Sequence, residues 1–545
     1  MHPANRKSSK TRLLVLTAAT SAVLAFGAQA HEQNHIKQSG EQENMLLVGH
    51  DSLQFRGAYQ PNFIDYPDGR TIAFVGLHGG QTLPGPLPNP LNGGTPEENG
   101  TMIVDITNPK HPVETFHIPA SAPGGQSQMV RLCLGSELPH GQSGKVYMLR
   151  NVQGSSLAGY ETWDVTDPYH PFLLAAIRGL RSTHKVFWEC NTGIAYMPGS
   201  KDASWGLPLW RQSQSMVIVD WSDPYHEPNY IRTFGLPGGQ PASSTSTGPV
   251  PPSLHGAISA HDHPNASGQL VSGVDVIGNR VYAAYGVGSN GVMQILDRNK
   301  LLPALYGGTW DGLHPDMPTD QELLDPQVGI LHMSPDQGGH TSMPVFGVKP
   351  KSLQCSSTSC PGATPQVRDI VMLTSEAGNC NSHHWTFAVD VTTENLPMVL
   401  STGWVDPQSG EKYPRGNYCL RGQRFGTHSS EENFRNPYYG RLVFTSYFNA
   451  GVRAWDITDP QGIKQAGFYV PAAPVKHCGN GVDCMYMTNN VEVDNRGYII
   501  IVDRIGNGMD ILKLCGKAKA IGLGKKQSYS DDCRADDDDD HHDRH

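Results

Sequence analysis

Beyond residue 26 the chain has no apolar run approaching the roughly 20 residues that a bilayer-spanning helix needs. After Arg12 it has no cluster of Lys and Arg, which argues against nucleic acid as a partner, because counterion-release binding needs clustered positive charge. No paired CxxC is present for zinc and no CxxCH for haem. A GxSxG elbow, an HExxH helix and a glycine-rich phosphate loop are also missing, so serine-hydrolase, metalloprotease and nucleotide chemistry are disfavoured. The stretch GVGSNG, Gly286 to Gly291, joins two strand-like segments and reads as a hairpin loop. Charge is scarce too: 17% charged residues beside 60 glycines and 41 prolines leave little room for long amphipathic helices, and no heptad or 3.6-residue period is evident.

The apolar run that does exist is N-terminal. Arg6, Lys7, Lys10 and Arg12 precede Leu13 to Phe26, which ends in Ala28-Gln29-Ala30, the layout of a secretory signal peptide. Residues 1–30 are therefore set aside as a leader cleaved near Ala30, and the mature chain is expected in the periplasm or outside the cell, with no membrane span. The formal charge of −10 becomes −14 once the four bases of the leader are removed. Residues 31–44, polar throughout, are expected to be disordered.

All ten cysteines lie in the exported part, as suits an oxidising compartment. Five bridges are expected, and the pairing proposed is Cys133–Cys190, Cys355–Cys360, Cys380–Cys419, Cys478–Cys484 and Cys515–Cys533. Spacing alone does not determine connectivity.

What the chain has in quantity is repetition. GTMIVDITNPKHP, starting at Gly100, recurs as GYETWDVTDPYHP, SMVIVDWSDPYHEP and GVRAWDITDPQG. The Asp that closes each strand falls at Asp105, Asp164, Asp220, Asp297, Asp390 and Asp456, and a seventh copy, GMDILKL, puts Lys513 in that place. Three of the six gaps are 56 to 59 residues and one is 66, with two copies stretched to 77 and 93. An upstream strand ending in a polar loop accompanies each copy, as in RTIAFVGLHGG, DIVMLTSEAG and GYIIIVDRIG, so each repeat contains an antiparallel hairpin. The closing Asp or Asn can bond its own backbone and the following Pro cannot continue a central strand, which stops every copy at the same point. One such unit cannot bury both faces by itself. Seven units of this length predict an all-β, seven-bladed β-propeller over residues 45–514, with long rim loops and disulfide staples, followed by an acidic, His-rich tail over 515–545.

MIVDITNP, MVIVDWSDP and their sister copies resemble the LVIVD-repeat β-propellers of exported bacterial proteins, over about Met45 to Leu514. The resemblance implies the propeller and little about activity, since propellers host many functions.

The chain holds 24 histidines. Four share a small-small-His context: His184, His261, His340 and His428. His184 stands 36 residues before Asp220, and His261 stands 36 before Asp297. Gln128 holds the corresponding place in the second blade, with Gln60 and Asn489 as candidates in the first and seventh. If this place is the axial end of the innermost strand, four blades aim imidazoles into the channel. An all-nitrogen site with open positions suits iron or copper rather than calcium or magnesium. In LHGAISAHDHP, His255 and His263 compete with His261, which is preferred on the local pattern alone. Glu189 and Glu432, or its neighbour Glu431, are near enough in sequence to orient ligands, against the plainer reading as surface salt bridges. The histidines themselves have a structural alternative, closing hydrogen-bond networks at the blade edge. At most one of His383 and His384 can face inward, because adjacent strand residues point to opposite sides.

His111 and His170 belong to rim turns. His31, as a new amino terminus, and the tail from Asp531 to His545 are weaker metal-capture candidates and read more plainly as solvated segments.

The arrangement is similar, by analogy and without a shared linear motif, to the four-His iron site of carotenoid-cleaving oxygenases and to the copper-bearing propeller of the selenium-binding and methanethiol oxidase group. That likeness implies an iron- or copper-dependent oxidoreductase, in which a small organic substrate meets dioxygen at an open coordination site. The insertions at 307–337 and 349–364 are then the expected lid. The competing expectation is a non-catalytic exported propeller that binds a protein or glycan through rim loops such as LPGPLPNPLNGGTPEENG.

Overall fold

A computed structural model describes residues 40–79, 85–154, 157–206, 208–241, 248–264, 270–271, 274–287, 290–353, 366–376, 380–382, 384–422, 424–472, 486–525 and 533. The leader, the pairs Cys355–Cys360 and Cys478–Cys484, His31, His383 and most of the acidic tail lie outside them.

The described strands form seven antiparallel sheets of four or five strands and two small two-stranded ribbons, the arrangement of a seven-bladed β-propeller. In blade 1 the order runs outward from Ala58–Asp65 through Thr71–Leu77 and Thr101–Asp105 to Val113–Ile118. The expected turn chemistry closes the third strand of six blades. Asp105, Asp164, Asp220, Asp297, Asp390 and Asp456 each accept, through Oδ1, the backbone N–H two residues on, at 2.8 to 3.0 Å. Each bond satisfies a donor where the ladder ends and turns the chain back toward the outer strand.

Strand alternation builds the core. In the second strand of blade 7, Ile499 and Ile501 pack with blade 6 residues such as Leu442 and Val452. Ile500 and Val502 face the other way, against Ala73 and Val104 of blade 1. Blade 2 behaves alike: Val146 and Met148 join the cluster with blade 1, whereas Tyr147 and Leu149 join the one with blade 3. Every blade thus buries two faces, each against a neighbour, and a closed ring removes the sheets' unpaired faces.

Closure needs the chain ends, and here the expected boundaries move. Met45–Asp51 pairs with Met509–Leu514 as the outer strand of blade 7. The fold also reaches earlier than residue 45: Gln42–Glu43 pairs with Phe468 and Tyr469 at the edge of blade 6. Glu41 is buried and bonded at 2.7 Å by both Arg415 and Arg421. Polar residues 40–44 are therefore structural, because a sheet edge and two arginines supply what their composition does not. At the other end, Gly516–Gly522 is a helix, not tail, with Ala518 in the core shared by blades 6 and 7. Cys515–Cys533, Cys133–Cys190 and Cys380–Cys419 are disulfides.

The 307–337 insertion does not cover the channel as a lid would. Pro315 accepts from the backbone of Thr233, and Asp316 pairs with Lys201 and Tyr230, so the insertion lies along the outer strands of blade 3. Of the second expected lid, 349–364, residues from 354 onward lie outside the description.

Candidate functional site

The innermost strands begin with a repeated irregularity. In blade 5, Gly339 pairs with Ser375 and Thr341 with Thr374, leaving His340 as an extra residue. Blade 4 does the same with His255, between Leu254 and Gly256, and blade 1 with Tyr59, between Ala58 and Gln60. Blade 7 has Asn489 and Asn490 in this place. A bulge breaks the alternation of the pleat and re-aims one side chain. In blades 1, 4 and 5 it turns one residue from the sheet toward the axis, whereas His184 of blade 3 and His428 of blade 6 lie outside the ladders.

The result is a compact imidazole cluster. Ring centroids lie 4.4 Å apart for His184 and His255, 3.9 Å for His255 and His340, and 4.2 Å for His340 and His428. Tyr59 joins it from blade 1, its hydroxyl 3.1 Å from His340 Nε2 and 3.4 Å from His184 Nε2. His255, His340 and His428 are buried, and His184 is half-buried.

Three of the four expected histidines, His184, His340 and His428, meet here. The fourth is His255, not His261. His261 sits in a short helical turn after the strand, Ala260–Asp262, half exposed, with Nδ1 2.9 Å from Asn191 Oδ1. The link to the second strand of blade 4 is longer than in blade 3, so the 36-residue spacing that His261 shares with His184 measures an insertion and not a shared register. His263 faces away from the cluster into a nest of Phe346, Phe434 and Tyr439. His384 is held between Ser375 and Ser382. In blade 1 the bulge residue is Tyr59, and the expected Gln60 lies beside it, bonded to Asn490. His170 is on the rim, bonded to Asp167, and His111 is exposed.

A second row comes from the residues that follow the second strands: His78 in blade 1, Glu376 in blade 5 and Arg504 in blade 7. Glu376 is the functional candidate that sequence reasoning missed, although it stands in the polar loop of DIVMLTSEAG. Its Oε2 is 3.8 Å from His255 Nδ1, and its Oε1 is 3.9 Å from His428 Nε2 and 2.8 Å from Arg424 Nη2. His255, His340 and Glu376 place one ligand-capable atom each within 4.8 Å of one another.

Hydrogen bonding distinguishes the four rings. His428 Nδ1 lies 2.7 Å from the Asn489 carbonyl, which only accepts, so Nδ1 carries the proton and the Nε2 lone pair has no hydrogen bond among the described residues. Both nitrogens of His255 are buried without a hydrogen bond among the described residues. His184 differs, because its Nδ1 accepts the Lys185 backbone N–H at 2.9 Å, which places its own proton on Nε2, toward Tyr59. All four rings are held neutral, their pKa values well below the ordinary histidine value. Burial is the main cause, followed by neighbouring positive charge or a second imidazole.

Glu189 and Glu432 are not surface groups. Glu189 is buried with Arg298, Ser259 and Tyr196, and has no described contact with the cluster. Glu432 binds Lys185 and Arg131 along the channel. Lys185 Nζ continues to Thr341 Oγ1 at 3.0 Å, and Thr341 Oγ1 lies 2.8 Å from His340 Nδ1. Glu432 therefore reaches an imidazole through two intermediaries. Glu431, also buried, accepts the Phe444 N–H at 2.8 Å. Past this network, at the far ends of the inner strands, a cavity of about 480 Å³ opens among Asn62, Arg131, Trp188, His261, Phe434 and Glu492.

No protein-family model matches the chain, and a search of curated proteins likewise found no match. Among solved structures it is similar to a hypothetical selenium-binding protein from Sulfolobus tokodaii, with 8% identity and a TM-score of 0.41 over 75% of this chain and 81% of that one. It is also similar to Kuenenia stuttgartiensis hydrazine synthase, with 11% identity and a TM-score of 0.41 over 88% and 97% of the two chains. The Dos1 propeller is a further match, at 10% identity and a TM-score of 0.39 over 86% and 96%. At such identities the likeness concerns the propeller fold and says nothing of chemistry.

Proposed function

We propose that the protein is an exported, metal-dependent oxidoreductase of LVIVD-repeat type, holding one iron or copper ion where the imidazoles meet. The ligands in this reading are His255, His340, His428 and Glu376, while His184 is one hydrogen bond back through Tyr59. The observation that carries the reading is the set of buried nitrogens without partners: both of His255 and Nε2 of His428. Buried polar atoms are almost always bonded, and leaving one unpaired costs on the order of 1–3 kcal/mol. His255 Nδ1 and His428 Nε2 lie 3.8 and 3.9 Å from the Glu376 carboxylate, each ring offering one lone pair, and neutral imidazole with one carboxylate suits iron or copper.

A redox-active ion there would supply electron exchange with a small organic substrate. The chain's own residues do the rest. Burial excludes bulk water, Arg424 offsets the charge of Glu376, and the Tyr59 hydroxyl fixes the orientations of His340 and His184. Export is supported by the signal-like leader and by the three described disulfides. No helix among the described residues is long and apolar enough to cross a membrane.

The test is metal analysis of purified mature protein. Stoichiometric iron or copper in the wild type, lost in both His255→Ala and His340→Ala and retained in His261→Ala, is the expected result. Protein that carries no metal, even after reconstitution with ferrous or cupric salt, overturns the reading.

A further inference from the structure

Two guanidinium groups stand at the imidazole-bearing mouth of the channel. Arg504 Nη2 donates to His78 Nε2 at 3.0 Å, and Nη1 donates to Asn489 Oδ1 at 3.2 Å. Its Cζ lies 5.8 Å from the centroid of the Tyr59 ring, whose hydroxyl touches His340 and His184. Arg424, bonded to Glu376, lies over the Phe448 ring at 4.3 Å, and Phe448 packs on His428 with centroids 4.9 Å apart. Both cations are therefore one side chain away from the imidazoles.

The charges at this mouth do not cancel. Glu376 answers Arg424, and His78 is depressed to about 3 by burial and then by the Arg504 charge. Arg504 has no carboxylate at ion-pair distance among the described residues, and its Nε is buried with no acceptor. Arg504 is half-buried; of the fully buried arginines, Arg150, Arg298 and Arg421 are paired with Glu161, Glu189 and Glu41, whereas Arg56, Arg232 and Arg453 have no carboxylate at ion-pair distance among the described residues, so what distinguishes Arg504 is its place beside the imidazoles. A guanidinium does not shed its charge, and an unmatched one in a low-dielectric site is costly. In a mature chain of formal charge −14, a local positive excess is a feature of this mouth and not of the molecule.

We infer that the axial site takes a small organic carboxylate, its anionic group paired with Arg504 beside Arg424. A carboxylate matches the guanidinium fork in shape as well as charge. The inference rests on the axial-site reading above for where the substrate goes, and the pairing itself requires no metal.

The test is calorimetric titration of the full mature protein with benzoate, with benzamide as neutral counterpart, in low-chloride buffer and with the metal content of each sample measured in parallel. Benzoate is expected to bind roughly tenfold or more tightly than benzamide. Arg504→Gln is expected to weaken benzoate by a similar factor, Arg504→Lys to restore part of the loss, and Arg435→Gln, at the opposite mouth, to change nothing. Equal affinity for the two probes, no benzoate binding by folded wild type, or full affinity in Arg504→Gln overturns the inference. Metal-free protein that still shows Arg504-dependent benzoate binding sinks the metal reading and leaves the anion site standing. Metal-loaded protein that ignores benzoate does the reverse.

Discussion

Two successive layers of the same channel are built on opposite terms. In the outer layer, His255 and His428 present buried nitrogens that nothing described satisfies. In the layer behind it, Lys185, Arg131, Glu432, Thr341 and Ser429 form a network in which every charge has a partner. The second layer is a plug that needs nothing more. The first is the layer proposed above to hold a metal ion. Substitution should therefore separate the layers by the kind of loss each suffers, stability in the plug and occupancy in the imidazole layer.

The largest effect is expected at Glu432, whose carboxylate is held down to about 2, against its burial, by Arg131 and then Lys185. Glu432→Gln leaves buried Lys185 and half-buried Arg131 without their shared carboxylate and should cost about 3–5 kcal/mol. Urea unfolding of the mature protein measures it. A loss below about 1 kcal/mol would mean that the plug is not a matched network, and the comparison would lose its second half.

Next in size is a pH effect of opposite sign in the two layers. Burial, then the charge of Glu432, raises Glu492 to about 8. Its folded pKa is above the unfolded value, so the stability it contributes is whole below about pH 4.5 and is lost as pH rises toward 8. Glu492→Gln should therefore be more stable than wild type at pH 8 and lose that advantage at pH 5. The imidazoles run the other way in metal-stripped protein. Their depressed pKa values give stability that is present above about pH 6.5 and lost as pH falls below it. Unfolding midpoints of wild type and Glu492→Gln at pH 5, 6.5 and 8 separate the two signs: parallel profiles for the two proteins contradict the Glu492 assignment, and a Glu492→Gln profile that is flat between pH 5 and 6.5 contradicts the imidazole one.

How much of this was legible in the sequence follows the range of the interactions involved. The propeller was, because its punctuation is local: an Asp bonding two residues ahead, six times over, can be read from one strand end. Three of the four axial histidines were, for the same reason, since a small residue pair before His keeps its form in each blade. His255 was not. Which residue of LHGAISAHDHP reaches the axis depends on one unpaired position in the ladder between Leu254–Ser259 and Arg280–Tyr285, and a bulge leaves no mark in either strand alone. Glu376 and Arg504 were hidden by another cause. Each is one residue of a short polar loop, and only the ring closure sets blades 5 and 7 around the same axis. The strand Gln42–Glu43 was read as disorder because its partner lies more than 400 residues away.

A smaller effect separates His255 from the plug. Replacing an unsatisfied buried imidazole with an apolar group removes a polar group that has no partner to lose, so His255→Leu should leave metal-free stability unchanged or raise it by about 1–2 kcal/mol while abolishing metal binding. Urea midpoints of chelator-treated protein, with metal content of the untreated sample, measure the two together. A loss of several kcal/mol in the metal-free state would show that His255 is a structural part of the fold.

The smallest effect is expected at His261, and it bears on why the local small-small-His pattern misled. Both histidines lie on the same segment of blade 4, six residues apart, one at the bulge and the other past the strand's end. If the bulge is what delivers a side chain to the axis, His261→Ala removes one half-exposed hydrogen bond to Asn191 and nothing else. Stability should stay within about 0.5 kcal/mol, and metal and benzoate binding should match wild type. Metal lost on His261→Ala but kept on His255→Ala would reverse the assignment, moving the ligand from the strand to the turn. That outcome would also move the site from the imidazole cluster to the cavity at the opposite mouth, where His261 stands with Arg131 and Glu492.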